Sequence, residues 1–182
     1  MITPLIIRPA APGDLDAVWQ LCRTVKTQLT ADGISIWDDT YPSPQVFAED
    51  IAANSLLLAF RGEQLLGAVS VTDNHSSEYY FDLPTEEADV RTRALLAHCG
   101  AQPETSVGLH RLMVAPAARR TGIAAALLNE AIRRSPGKRI TLLVAGFNAP
   151  ALTLYRDWGF VGYGEFEFSF GRMHLMALPL QQ

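Results

Sequence analysis

In the stretch "PAARRTGIAAALL" (Pro116–Leu128), two arginines, a threonine and a glycine stand where an apolar helical segment begins. The first N–H groups of a helix have no intrahelical partner and carry the positive end of its dipole, so such a turn can receive an anion. Gly122 would let a phosphate come close to the backbone, and Arg119 and Arg120 add charge and donors. Taken alone, Arg-Arg-Thr-Gly reads first as a solvated turn. Two nucleotide-binding patterns are excluded. No glycine-lysine pair is followed by Ser or Thr, and the only Gly-x-Gly, Gly162-Tyr163-Gly164, lies in a strand pattern with no helix behind it.

Three further groups could do chemistry. "NAPALTLYRDWGF" (Asn148–Phe160) places Tyr155 in a short helix, and a phenol with pKa near ~10 can serve as a proton donor or simply pack beside its helix neighbours. In "SVGLHRLMVAP" (Ser106–Pro116), His110, Leu112 and Val114 share one face of a strand, and a histidine near pKa ~6.5 can accept a proton at neutral pH. "IWDDTYPSP" (Ile36–Pro44) groups Trp37, Asp38, Asp39 and Tyr41, whose carboxylates and aromatic faces would suit a cationic amine, although capping and packing explain them as well.

The elements that must position these residues follow from periodicity and punctuation. Residues 4–8 read as a strand, followed by a helix with Asp14 as N-cap and Gly33 as its stop. Ser43-Pro44 opens a second helix that runs to about Asn54. Ser55–Phe60 and Leu65–Thr72 form a hairpin around Gly62. The stretch from Asp73 to Ser106 is the least regular, with Tyr79, Tyr80 and Phe81 and then a helix from Thr85 to His98. The strand over Ser106–Pro116, the helix ended by Pro136 and Gly137, and the buried strand "RITLLVAG" make a right-handed crossover. A helix capped by Asn148 and a C-terminal hairpin turning at Gly171 complete the chain. The class is α/β, a mixed sheet with helices on both faces, and residues 1–182 are read as a single domain.

Composition bounds the function. No apolar run approaches the ~18 residues of a membrane-spanning helix, and Arg8 and Pro9 break the N-terminal apolar run too early for a secretory leader, so a cytoplasmic protein without membrane association is expected. A net charge of −4 argues against nucleic acid as partner, and the basic run Arg133–Arg139 sits at a helix C-terminus that favours cations. Cys22 and Cys99 show no metal-ligand spacing, so both are read as reduced and structural, and no metal is expected.

Together, "LMVAPAARRTGIAAALL" and "NAPALTLYRDWGF" resemble the two signatures of the GNAT superfamily of N-acyltransferases, V-x-P-x-x-[RQ]-x-x-G-[IV]-[GA] and N-x-x-A-x-x-L-Y-x-x-x-G-F. Arg119, Gly122 and Ala124 fill the fixed positions of the first, and Asn148, Ala151, Leu154, Tyr155, Gly159 and Phe160 those of the second. The element order agrees over nearly the whole chain, and Asp73–Glu104 is the part left unmatched. The resemblance implies a GNAT fold. It implies that the pyrophosphate of acetyl-CoA, or another acyl-CoA, sits on the amides of Arg119, Arg120, Thr121, Gly122, Ile123 and Ala124. It also implies that the pantetheine arm bonds the backbone of Leu112 and Val114, where two parallel strands part, and that an N–H near Met113 or Val114 polarises the thioester carbonyl. Tyr155 takes the acid's position. His110 stands where many relatives carry a strand carboxylate, which makes it the candidate base. Trp37, Asp38, Asp39 and Tyr41 fall on the acceptor side, with Tyr79, Tyr80 and Phe81 expected as a mobile wall on the same side. The acceptor would be a small-molecule amine. A protein N-terminus or lysine, or a non-catalytic acyl-CoA-binding module, are the alternatives, and the oligomeric state, a homodimer included, stays open.

Overall fold

The structure is a computed structural model that describes residues 3–179; Met1 and Ile2, at the head of the N-terminal apolar run, and Leu180–Gln182 lie outside the described residues. Seven strands form one mixed sheet in the order β1-β2-β3-β4-β5-β7-β6. The elements are β1 (Leu5–Pro9), α1 (Leu15–Ala31), α2 (Pro44–Ala52), β2 (Leu56–Arg61), β3 (Gln64–Thr72), α3 (His75–Tyr79), α4 (Thr85–Ala97), β4 (Ser106–Val114), α5 (Ile123–Arg134), β5 (Arg139–Ala145), α6 (Ala149–Asp157), β6 (Val161–Phe168) and β7 (Gly171–Ala177). Among the described residues no helix is long and apolar enough to cross a membrane. The chain divides into two compact units. One comprises the residues up to Val71 with Arg111–Arg134, and the other Thr72–His110 with the chain from Ser135 onward.

In the first unit β1, β2 and β3 are antiparallel neighbours, with Leu5 opposite Arg61 and Leu56 opposite Ser70. Helix α1 buries Val18, Leu21, Cys22 and Val25, the i, i+3, i+4, i+7 stripe of its sequence, against Phe47 of α2 and Leu56, Leu58, Ala68 and Met113 of the strands. Ser43 caps α2 as its sequence predicts, its hydroxyl accepting from the Val46 N–H. Asp14 behaves differently from expectation. It makes no side-chain cap on α1, because Arg8 takes its carboxylate at 2.7 and 2.8 Å and the Ala11 N–H donates to it at 2.7 Å. A full-charge partner and a nearby amide outcompete the helix's own N–H groups. These contacts hold the Asp14 carboxyl below its usual range.

In the second unit β4 opens parallel to β5, the register running from Ser106 opposite Arg139 to Gly108 opposite Thr141, the first three residues of each strand. β7 lies antiparallel between β5 and β6. Its core joins Tyr79, Leu95, Leu96 and Cys99 to Leu175 and Ala177. Helix α3, which the sequence leaves as irregular chain, is the one unexpected element, and it buries His75 and Tyr79.

Candidate active site

The turn that receives α5 is built from backbone geometry. Ala115 N–H donates to Leu66 C=O at 2.8 Å, and Pro116–Ala118 make one tight turn. Arg119 is extended, Arg120 is left-handed (φ +61°), and Thr121 Oγ1 closes the bend on the Ala118 carbonyl at 2.7 Å. Gly122 follows at φ +87°, and nothing lies within 4 Å of where a Cβ would stand, so the backbone there is open to a close-approaching group. Gly67 of β3 sets the seat of α5. A Cβ on it would stand 2.8 Å from the Met113 carbonyl and 2.8 Å from Ile123 Cγ2. Close packing of β3, β4 and α5 therefore needs a residue without a side chain. Arg119 reaches Asp32, just past α1, at 3.1 Å, and both side chains are half-exposed, so an anion can share the guanidinium.

The loop joining α1 to α2 is held from within. Asp38 accepts from the amides of Thr40 and Tyr41 and from the Thr40 hydroxyl at 2.7–2.8 Å, which keeps its carboxyl below its usual range. Lys26 donates to the Asp38 carbonyl and pairs with Asp39 at 2.9 Å, while Asp39 itself remains fully exposed. Trp37 packs against the first core. Tyr41 Oη accepts from Arg111 Nη1 at 2.7 Å, and Tyr41-Pro42 is cis. Arg111, in the middle of β4, is left-handed (φ +51°) and almost wholly buried, and it grips Asp50 of α2 through Nε and Nη2 at 2.8–3.1 Å. The Ser70 hydroxyl donates to the same carboxylate at 2.5 Å. A non-glycine residue in that conformation is strained by roughly 1–3 kcal/mol, and the surrounding bonds hold it there.

In the second unit Asn148 caps α6, its Oδ1 accepting from the Ala151 N–H at 3.3 Å, so both signature residues have a local role in starting the helix. Tyr155 of α6 is buried, with its ring edge-on to Phe160 at 5.4 Å. Burial pushes its phenol well above the ordinary value, which keeps it a neutral donor. His110 is nearly buried and places Nδ1 3.7 Å from Glu78 Oε2 of α3. Tyr80 is half-buried with its ring 5.4 Å from Phe168, and burial raises its phenol, opposed by Arg91. Of the aromatic triplet only Phe81 is exposed, stacked on Phe170; Tyr79 lies inside the unit.

Each signature stretch thus starts a helix: the turn over Pro116–Gly122 precedes α5, and Asn148 caps α6, which carries the buried Tyr155. The model of the acetyltransferase (GNAT) family matches residues 23–160. The chain belongs to that family. As a GNAT acetyltransferase it is an acyltransferase with an acyl-CoA donor. Among solved structures, a GNAT-family acetyltransferase from Streptococcus agalactiae superimposes with a TM-score of 0.74 at 15% identity, over 100% of this chain and 99% of that one. The PaiA N-acetyltransferase of Thermoplasma acidophilum, solved in complex with coenzyme A, does so at 0.65 and 16% identity, over 96% and 98%. A ribosomal-protein-alanine N-acetyltransferase from Brucella melitensis reaches 0.63 at 21% identity, over 96% and 99%. These likenesses concern the fold. A search of curated protein sequences finds no match.

Within this acetyltransferase, the sequence reading assigned no role to Gly67, Asp32, Asp50, Arg111 or Glu78. A signal existed for Gly67, a glycine inside a strand pattern, which marks a close backbone approach. Arg111 lies between His110 and Leu112, and strict alternation would turn it to the other face; its left-handed φ breaks that alternation.

Proposed function

We propose that this protein transfers an acetyl group from acetyl-CoA to the primary amine of a small, cationic acceptor by direct attack while both substrates are bound. The anion seat fits the donor: Gly122 is open, and Arg119, Arg120 and the amides from Thr121 to Ala124, which lead into α5, offer donors for a pyrophosphate. The backbone of Leu112 and Val114 takes the pantetheine amides, and the N–H of Met113 or Val114 polarises the thioester carbonyl. Tyr155 gives its proton to the departing thiolate, and its burial supports that role by keeping the proton on. His110 accepts the proton of the amine.

The observation that carries the small-acceptor reading is the loop over residues 37–42. It is folded on Asp38, anchored through Tyr41, and presents the exposed Asp39 carboxylate, while Trp37 packs against the core. Lys26 already occupies part of that negative field, so an acceptor cation competes with it. Cys22 and Cys99 are free and buried, burial pushing the Cys22 thiol up to about 11, which supports a cytoplasmic setting and leaves neither as a nucleophile. The match over residues 23–160 passes through both units, which supports reading them as one acyltransferase domain. The test is thiol release from acetyl-CoA over a panel of polyamines, amino sugars, amino acids, and peptides with free N-termini or lysines. Release with small cationic amines supports the reading. Release with peptides alone moves the acceptor to protein, and CoA binding without release makes the protein a binding module.

A further inference from the structure

The segment that the family signatures leave unmatched brings a carboxylate to β4. Helix α3 places Glu78 Oε2 3.7 Å from Nδ1 of His110, an ion-pair distance that must shorten for direct proton transfer. The imidazole lies back over Gly108. A Cβ there would stand 2.5 Å from His110 Nε2 and 3.1 Å from the Tyr79 hydroxyl, so only a residue without a side chain admits this ring position. The Tyr79 ring packs on the imidazole at 5.5 Å, and Nε2 is enclosed. Nδ1 is the ring nitrogen that Glu78 approaches. Of the two side chains, Glu78 is the more exposed, at 18% against 10%.

We propose that Glu78 and His110 act as one acid–base pair, in which the Glu78 carboxylate receives the proton of the acceptor amine and His110, lying behind it, shares that proton through Nδ1. The inference rests on the acetyltransferase reading above and corrects one part of it: the outer group of the base is Glu78, a residue of the unmatched segment. The amine nitrogen forms a bond to the thioester carbonyl carbon and the carbon–sulfur bond breaks. The nitrogen's surplus proton passes to Glu78 and is shared with His110, while the thiolate takes the Tyr155 proton. The Glu78–His110 pair ends one proton richer and Tyr155 one poorer, and exchange with solvent restores both.

Ionisable groups near the ring include Glu78 and Tyr79 of α3, with His75 behind Tyr79. Tyr79 is held neutral by burial, and burial also favours neutral His75, whose field includes Asp73, Lys138 and Glu78. Arg111, the next residue of β4, is engaged by Asp50.

The test compares Glu78→Gln, His110→Gln and the double variant in the full-length protein, each checked by near-UV circular dichroism. Each single variant is expected to lower kcat by about 10²-fold or more, with the KM for acetyl-CoA unchanged. The double variant should be no slower than the worse single one, as for groups that act as a unit. A Glu78→Gln protein with parental kcat across pH 6–9, or losses that multiply, overturns the pairing. Should Glu78→Gln fail to fold, Glu78→Asp, which keeps the charge and lengthens the gap, is expected to show a smaller loss of kcat. A parental pH–rate profile in Glu78→Asp would also overturn the pairing. The titration of the His110 ring proton by NMR needs no substrate. Its midpoint is expected to fall in Glu78→Gln, since a carboxylate favours the imidazolium. If the parent releases no thiol with any amine, the acetyltransferase reading fails, and the NMR midpoint alone decides whether the pair exists.

Discussion

Arg111 and Asp50 form a buried, bidentate ion pair at a left-handed residue in the middle of β4. Breaking a buried pair by removing one partner costs about 3–5 kcal/mol, because the remaining charge is left without compensation. Asp50→Ala and Arg111→Ala are each expected to lose that much in urea unfolding. Arg111→Lys should lose most of it too, since a lysine offers neither the forked contact to Asp50 nor, at the same time, the bond to Tyr41. A loss below 1 kcal/mol in Asp50→Ala would show that the pair does not hold the strand.

The same arginine anchors the loop between α1 and α2 through Tyr41. Tyr41→Phe removes one hydrogen bond to a charged donor, worth roughly 1.5–3 kcal/mol. Under the proposed function, its main expected effect is a rise in acceptor KM of about tenfold with an unchanged Kd for CoA. Equal changes in both constants would place Tyr41 outside the acceptor side.

Two glycines give opposite readings of one substitution. Gly67→Ala places a methyl group 2.8 Å from a backbone carbonyl that has nowhere to go, so a loss of about 1–3 kcal/mol is expected. Gly122→Ala meets no atom but must hold φ +87°, which strains the turn by about 1 kcal/mol and narrows the approach of a phosphate. Calorimetric titration with CoA should show affinity falling in Gly122→Ala. In Gly67→Ala the melting temperature should fall first.

Much of this was legible in the sequence because it is local. The caps at Ser43 and Asn148, the stripe of α1, the stops at Gly33 and Gly159 and both signatures depend on neighbours within a few positions. What escaped depends on distant partners. Asp14 left its cap for Arg8; Asp50 found Arg111 across 61 positions of sequence; Glu78 reached His110 from a helix too short to show a period. Likewise Asp38 and Asp39 look alike in sequence, yet one folds the loop and the other faces solvent and Lys26.

The pH dependence of stability has a sign at each end. Burial raises the phenols of Tyr79 and Tyr155, so the stability they contribute is complete below the ordinary value near 10 and is lost as pH rises above it. Glu130 is pulled down to about 2, first by Arg133 and then by Arg134, so its contribution is present above its usual value of 4.5 and is lost as pH falls toward 2. Thermal melts from pH 2 to 11 should fall at both ends. Stability still rising above pH 10 would contradict the buried state of the two tyrosines.

The most direct test of the central claim is amine-dependent thiol release from acetyl-CoA by the parent protein and by Tyr155→Phe, with CoA binding measured on both. The expected result is turnover in the parent, a loss of about 10²- to 10⁴-fold in kcat for Tyr155→Phe, and equal CoA affinity in the two. A parent protein that neither binds CoA nor releases thiol with any amine, or a Tyr155→Phe protein as fast as the parent, would contradict it.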